Sequence, residues 1–179
     1  LRLRRQVHHH IADERRLPEQ PNVHEMRGHG VVQRIVVERD GLGVPTVRGG
    51  SFEDVVRATG FVHAQERFFQ MDLLRRESAG ELAALLGPSA AASDRNARLH
   101  RLRSHSQTAL RALEPSRRAL LEAYAAGVNA GLRDLGAAPP EYLLLRTDPT
   151  SWLPEDSLLV ILTMYLRLQD PTGRLDATL

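Results

Sequence analysis

The 179 residues include no cysteine and no lysine, and only 4% of them are aromatic. The absence of cysteine excludes a disulfide framework, a thiol nucleophile and a cysteine-ligated zinc site. Because lysine is absent, all 24 basic residues are arginine, and the pI is about 9.6 although the formal net charge is only +2. A nucleic-acid binder would gather such residues into one block, whereas here Arg alternates with Glu and Asp through the helical segments, the pattern of a solvated mixed-charge surface. With few aromatic rings, Leu, Val and Ala must build most of the core. A chain of this length can bury about two thirds of its unfolded surface as one domain. No apolar run reaches the ~18 residues of a membrane span, and the longest, Leu158 to Leu168, is interrupted by Thr163 and Arg167. An initiator Met and a signal-peptide core are also missing, and Leu1 to Arg16 is charged throughout, as expected of a chain whose targeting segment has been removed.

Residues 1–30 are polar and carry Pro18, Pro21, Gly28 and Gly30, which reads as an arm with one short helical stretch before Pro18. The domain proper is expected over 31–179. Val31 to Val47 is rich in β-branched residues and broken by Asp40-Gly41, Gly43 and Pro45, so it predicts a β-hairpin. Ser51 with Asp54 three residues later predicts a helix start. The run behind it carries two apolar stripes, Val55/Val62/Phe69/Leu73 and Ala58/Phe61/Phe68/Met71, on a helix expected to end near Gly87-Pro88. A second amphipathic helix is expected from Ser93 or Asp94, with Leu99, Leu102, Ser106, Ala109 and Leu113 on one face. Pro115 opens a third, which Gly136 stops. The last starts at Pro154, with Glu155 and Asp156 at the positive end of its dipole; it is apolar nearly all round and must be covered on every side. That demand, with Leu175 and Leu179 still apolar at the end of the sequence, points to a partner chain.

Chemistry-bearing residues are sparse. The triplet His8-His9-His10 points in different directions on a helix and lacks the i, i+4 spacing that suits one metal, so it reads as incidental. Ser157 in PEDSLL has no Gly-x-Ser-x-Gly context and reads as a polar helical residue. His63 could act as a general base, but with no neighbouring nucleophile it reads as a hydrogen-bonded structural histidine. Glu155 and Asp156 are explained by the helix start. No catalytic constellation is complete.

The strings RDGLGVPTVRG and GFVHAQERFFQMDLLRRESAGELAALLG resemble the N-terminal part of the penicillin acylase (penicillin amidase) family of N-terminal-nucleophile hydrolases. Arg39, Asp40, Gly43, Val44, Pro45, Gly60, Ala64, Arg67, Gln70, Met71, Arg75, Arg76, Gly80 and Gly87 all stand at family-like positions. The resemblance implies an α+β fold: the mostly helical α chain of a four-layer αββα hydrolase, with an N-terminal β-hairpin. It implies a β chain cut from the same precursor, whose first residue is the catalytic serine, so that nothing in 1–179 is nucleophile, base or oxyanion donor. It also implies an amidohydrolase exported to the periplasm or secreted. The segment Trp152-Leu153-Pro154-Glu155-Asp156-Ser157 is similar to the family's W-x-P-x-D-S lead into the pocket helix. By position Met164 and Leu168 would then line the acyl pocket, with Arg167 at its mouth.

Two departures bear on specificity. Aromatic-acyl members carry Phe where this chain has Leu168, which makes an aliphatic or broader acyl group plausible. Arg174 stands, by alignment through Asp170 to Asp176, where many members place a calcium-ligating Glu, and a guanidinium has no acceptor, so a structural calcium stays open. No cofactor is needed for the chemistry itself. The alternatives are an acyl-homoserine lactone acylase of the same family and, from another class, an Arg-rich helical nucleic-acid-binding module; the hairpin argues against a helical adaptor.

Overall fold

The computed structural model describes residues 24–27 and 34–168, without the side chains of 24–27, Arg34, Leu166 and Arg167. The helical stretch before Pro18, the histidine triplet, Arg174 and Asp176 lie outside the described residues. The expected hairpin is present, as β2 (Arg34–Arg39) and β3 (Pro45–Arg48), antiparallel with Arg39 opposite Pro45. Asp40 builds its turn: one carboxylate oxygen accepts the N–H groups of Leu42 and Val44, both at 2.9 Å, and Gly43 takes φ +80°. A further strand, β1 (His24–Arg27), pairs antiparallel with β2 and gives the order β1-β2-β3. It falls within the segment expected to be an arm.

Ile35 and Val37 of β2 alternate with half-buried Val36 and Glu38, and both are fully buried against Ala58, Phe61 and Val62 of α1 (Phe52–Ala79). The Ser51 hydroxyl accepts the N–H of Asp54 at 3.1 Å and caps α1, a contact worth about 1 kcal/mol. Near its middle, at Arg67, α1 bends through a non-helical residue. The stripe Ala58/Phe61/Phe68/Met71 is buried throughout, whereas of the other only Val62 is buried and Val55, Phe69 and Leu73 are half-buried; the buried residues fall in two clusters. One is the sheet side just described; the other joins Ala64, Phe68 and Met71 to Ala125 and Val128 of α5 (Pro115–Asp134), Tyr142 of α6 (Pro140–Leu145) and Trp152. The helices α1 and α5 cross at backbone distance: a Cβ at Gly127 would strike the carbonyl oxygen of Arg57, and one at Gly131 that of Phe61.

Two helix boundaries differ from expectation. Gly80, with φ +69°, ends α1 seven residues before Gly87; the N–H of Glu81 returns to the carbonyl of Arg76 at 2.8 Å and closes the turn. A separate short α2 (Ala83–Leu86) follows, held at its start by Asp94, whose two carboxylate oxygens accept the N–H groups of Leu82 and Ala83 at 2.8 Å each. The single helix expected from Ser93 to Leu113 is two, α3 (Ala91–Leu99) and α4 (Leu102–Ala112), broken at Arg101 with φ +49°. The break rotates the faces apart: Ser106 is buried while Leu99, expected beside it, is 80% exposed. As expected, α5 begins at Pro115, and Gly136, with φ +66°, follows its end. The last helix, α7 (Pro154–Leu168), begins at Pro154. The mostly helical α+β class is what the sequence predicts.

Candidate functional site

The start of α7 is held by buried charges. Asp156, 1% exposed, accepts the N–H of Leu153 at 2.8 Å, the return half of a capping box, while its own N–H reaches the Leu153 carbonyl at 3.0 Å. Its Oδ2 also takes Arg75 Nη1 at 2.6 Å and its Oδ1 takes Arg103 Nη1 of α4 at 3.2 Å. Arg75 finds an acceptor for each of its five N–H donors: Asp72 from Nε at 2.7 Å, Asp156 and the Ser151 carbonyl from Nη1, and the carbonyl and hydroxyl of Thr150 from Nη2. Asp72, fully buried, also accepts Arg76 Nε at 2.9 Å and the Tyr142 hydroxyl at 2.7 Å. The outermost member, Arg103, grips both oxygens of Glu81 at 2.6 and 2.7 Å, which raises its pKa. Burial, then the hydrogen bond and charge of Asp72, push the Tyr142 phenol well above its ordinary value against the opposing Arg75 and Arg76, so it stays a donor.

Trp152, just before α7, is fixed on several sides. Its backbone N–H and carbonyl pair with the Asn129 side chain at 2.8 and 2.9 Å, and its indole N–H donates to Ser157 Oγ at 3.1 Å. The Arg75 guanidinium lies 5.1 Å from its ring centroid. Ser157 is thus a hydrogen-bonded helical residue, as expected. The indole also helps wall a largely apolar cavity of about 290 Å³, with Met71, Tyr124, Ser157 and Val160 among its other walls.

Farther along, α7 has two unlike faces. Leu159 is fully buried and Thr163 nearly so, its hydroxyl donating to the Leu159 carbonyl at 2.9 Å. On the opposite side Ile161, Met164, Tyr165 and Leu168, spaced i, i+3, i+4, i+7, form one exposed stripe, with Met164 54% and Leu168 78% exposed. Two of the three expected pocket residues, Met164 and Leu168, therefore share a face one turn apart, and Ile161 and Tyr165 extend it. The side chain of Arg167 lies outside the described residues. The covering that an all-apolar helix requires is not supplied by the described residues on this side.

His63 is a structural partner of α5: its Nδ1 lies 2.9 Å from the Tyr124 hydroxyl. Burial, aided by Arg67 and opposed by Glu66, lowers its pKa, so it is neutral at pH 7. Burial raises that of Tyr124. Among the described residues no three His, Asp or Glu side chains cluster as a metal site would need.

Compared with known proteins, residues 34–178 match the family described as Penicillin amidase. The chain belongs to the penicillin amidase family. It is 39% identical over 132 residues to penicillin acylase 2 proenzyme of Pseudomonas sp. (strain SE83), covering 74% of this chain and 17% of that protein. Against acyl-homoserine lactone acylase QuiP of Pseudomonas aeruginosa it is 38% identical over 132 residues, covering 73% of this chain and 16% of that protein. The chain thus spans about a sixth of the length of these curated relatives. Among solved structures it is similar to a thermostable penicillin G acylase from Alcaligenes faecalis, with TM-score 0.73, 30% identity, and coverage of 83% of this chain and 80% of that chain. Within the matched residues, Trp152 to Ser157 form part of the clasp at the start of α7.

Proposed function

We propose that this chain is the α portion of an amide-hydrolysing acylase of the N-terminal-nucleophile type, cut from a precursor whose larger β chain begins with the catalytic serine. One observation carries the reading: a firmly anchored helix presents Ile161, Met164, Tyr165 and Leu168 to solvent in a chain one sixth as long as its relatives. Such a stripe needs a covering surface, and the rest of the precursor supplies it. The solved chain that it matches is similar in extent to this one, while the curated relatives are far longer, which supports a division of the precursor into separate chains. In this reading residues 1–30 are an arm, 31–179 form the α-chain domain, and the β chain completes a four-layer αββα sandwich in the periplasm or outside the cell.

Met164 and Leu168 line the acyl pocket, and Arg167 stands at its mouth near the amine product. The nucleophile is the β-chain serine hydroxyl, whose proton passes to its own free α-amino group, a base of pKa near 8. Attack on the amide carbonyl forms the acyl-enzyme ester and breaks the C–N bond, the amine leaving with the proton held by the α-amino group; water then cleaves the ester, which releases the carboxylate and restores the serine. No cofactor takes part, and a structural calcium draws no ligand from Arg174, which has no acceptor. The reading involves no nucleic-acid partner; in keeping with it, Arg39, Arg48, Arg75, Arg76 and Arg103 are paired with carboxylates of the same chain. A second reading, an acyl-homoserine lactone acylase, is favoured by the 38% identity to the QuiP protein and by an aliphatic side chain at Leu168.

The test is expression of the full reading frame. The larger product should begin with serine by N-terminal sequencing, and the assembled protein should release amine from phenylacetyl amides, medium-chain acyl amides or acyl-homoserine lactones. An uncleaved product inactive on all three refutes the reading. Soluble, amidase-active 1–179 alone refutes the two-chain form.

A further inference from the structure

Among the described residues, the outer half of α7 is held from its N-terminal side. Its buried described residues, Asp156, Leu159 and Thr163, all precede Met164, and beyond them Met164, Tyr165 and Leu168 face solvent. At a rise of 1.5 Å per residue, Leu168 stands about 7.5 Å along the axis beyond Thr163, the last buried described residue. A tilt of about 8° in the helix moves Leu168 by about 1 Å over that length. A misplacement of about 1 Å in a positioned group can cost about 100-fold in rate.

We propose that Arg75 and Asp156 are positioning residues for the acyl pocket: they lock the start of α7 to α1 and thereby set where Met164 and Leu168 meet the acyl group. This rests on the acylase reading. The clasp joins four parts of the fold: α1 through Asp72, Arg75 and Arg76, α4 through Arg103, the loop before α7 through Thr150 and Ser151, and α7 through Asp156. Apolar contacts are non-directional, but a guanidinium with five donors in use and a carboxylate bonded on both oxygens fix direction as well as distance. Replacing a buried ion pair by well-packed apolar residues is often neutral for stability, so stability alone gives little reason for charges here. A fixed register for the helix that carries Met164 and Leu168 does.

The experiment uses the full precursor, processed and assembled. Asp156→Asn keeps the shape of the side chain and removes its charge; Arg103→Gln removes the outer member, with its bonds to Asp156 and Glu81, at a side chain 29% exposed, and serves if Asp156→Asn does not fold. Asp94→Asn is the control: its carboxylate is also buried and bonded on both oxygens, but it holds α2. Active sites are counted with a serine-directed sulfonyl fluoride, so that misfolded protein does not enter kcat. The substrates are hexanoyl, octanoyl, decanoyl and phenylacetyl amides of p-nitroaniline. Asp156→Asn should raise KM about three- to tenfold and alter the octanoyl-to-phenylacetyl ratio of kcat/KM. Arg103→Gln should do the same to a smaller degree, and Asp94→Asn should lower the thermal midpoint while KM and the ratio stay put. Unchanged KM and ratio in the clasp variants, alongside a lowered midpoint, overturn the proposal and leave a purely structural clamp. A wild-type protein that hydrolyses none of the four overturns the acylase reading itself, before any variant is made.

Discussion

Removing the hydroxyl of Tyr142 should loosen the centre of this fold without changing its shape. Tyr142 and Asp72 are both fully buried, and the phenol donates to Asp72 Oδ2 at 2.7 Å. In Tyr142→Phe the ring still fills its place against Phe68 and Phe69, but Oδ2 loses its partner while Oδ1 keeps Arg75 and Arg76. A hydrogen bond to a charged group is worth about 1.5 to 3 kcal/mol, which corresponds to a roughly ten- to hundredfold change in a local opening equilibrium. The assay is hydrogen exchange by mass spectrometry on the assembled protein, reading peptides that cover Met71 to Ser78 of α1 and Glu141 to Leu145 of α6. Protection there should fall by that factor at neutral pH. The effect has a pH signature. The folded pKa of Tyr142 lies above the unfolded value near 10, so the stability from its protonated form is complete below pH 10 and is lost as pH rises beyond it. The difference between wild type and variant should therefore shrink above pH 10. Protection within twofold of wild type at pH 7 would refute the reasoning.

His63 offers the opposite sign: its folded pKa is lowered below 6.5, so its contribution is complete above pH 6.5 and is lost as pH falls through the window beneath it, and His63→Gln should flatten the thermal midpoint between pH 7.5 and 5. Arg101 adopts φ +49°, a conformation that costs a side-chain-bearing residue about 1 kcal/mol or more, so Arg101→Gly should leave the midpoint unchanged or raise it, and a fall of several degrees would contradict this. Leu168→Phe should lower kcat/KM for an octanoyl amide relative to a phenylacetyl amide severalfold, because an edge-to-face ring partner is worth about 0.5 to 1.5 kcal/mol; an unchanged ratio in folded enzyme removes Leu168 from the acyl pocket.

Where the sequence carried a strong local signal, the fold was legible. The β-branched run with Asp40 and Gly43 marked the β2–β3 hairpin, Pro115 and Gly136 bracketed α5, and Pro154 opened α7. The misplaced boundaries have identifiable causes. Both Gly80 and Gly87 can end a helix, and the choice between them is coupled to Asp94, a carboxylate distant in sequence that satisfies the amides of the next helix. The break at Arg101 has no local signal, since arginine favours helix; its result is seen only in the packing, with Ser106 buried and Leu99 exposed. The strand β1 reads His-Glu-Met-Arg, without the apolar alternation that identifies a strand, and its pairing comes from β2.

The site divides along the same line. Met164 and Leu168 follow from the resemblance to the family; Ile161 and Tyr165 share their i, i+3, i+4, i+7 face, but a helix apolar nearly all round gives no sign of which face stays exposed. The clasp was harder to see, yet a trace was present: Phe68, Asp72 and Arg75 fall at i, i+4, i+7 on a stripe that buries, and charges on such a face must find one another or a partner across the core. The W-x-P-x-D-S segment belongs to this clasp. Trp152 stacks on Arg75 and donates to Ser157, Pro154 suits the first helical position, and Asp156 receives Arg75, Arg103 and the Leu153 amide. Its residues therefore encode how α7 is mounted, while the positions proposed to face the acyl group, Met164 and Leu168, lie about two and three turns farther on. In the acylase reading, an enzyme built this way can exchange the side chain at Leu168 and change its acyl group without disturbing the mount.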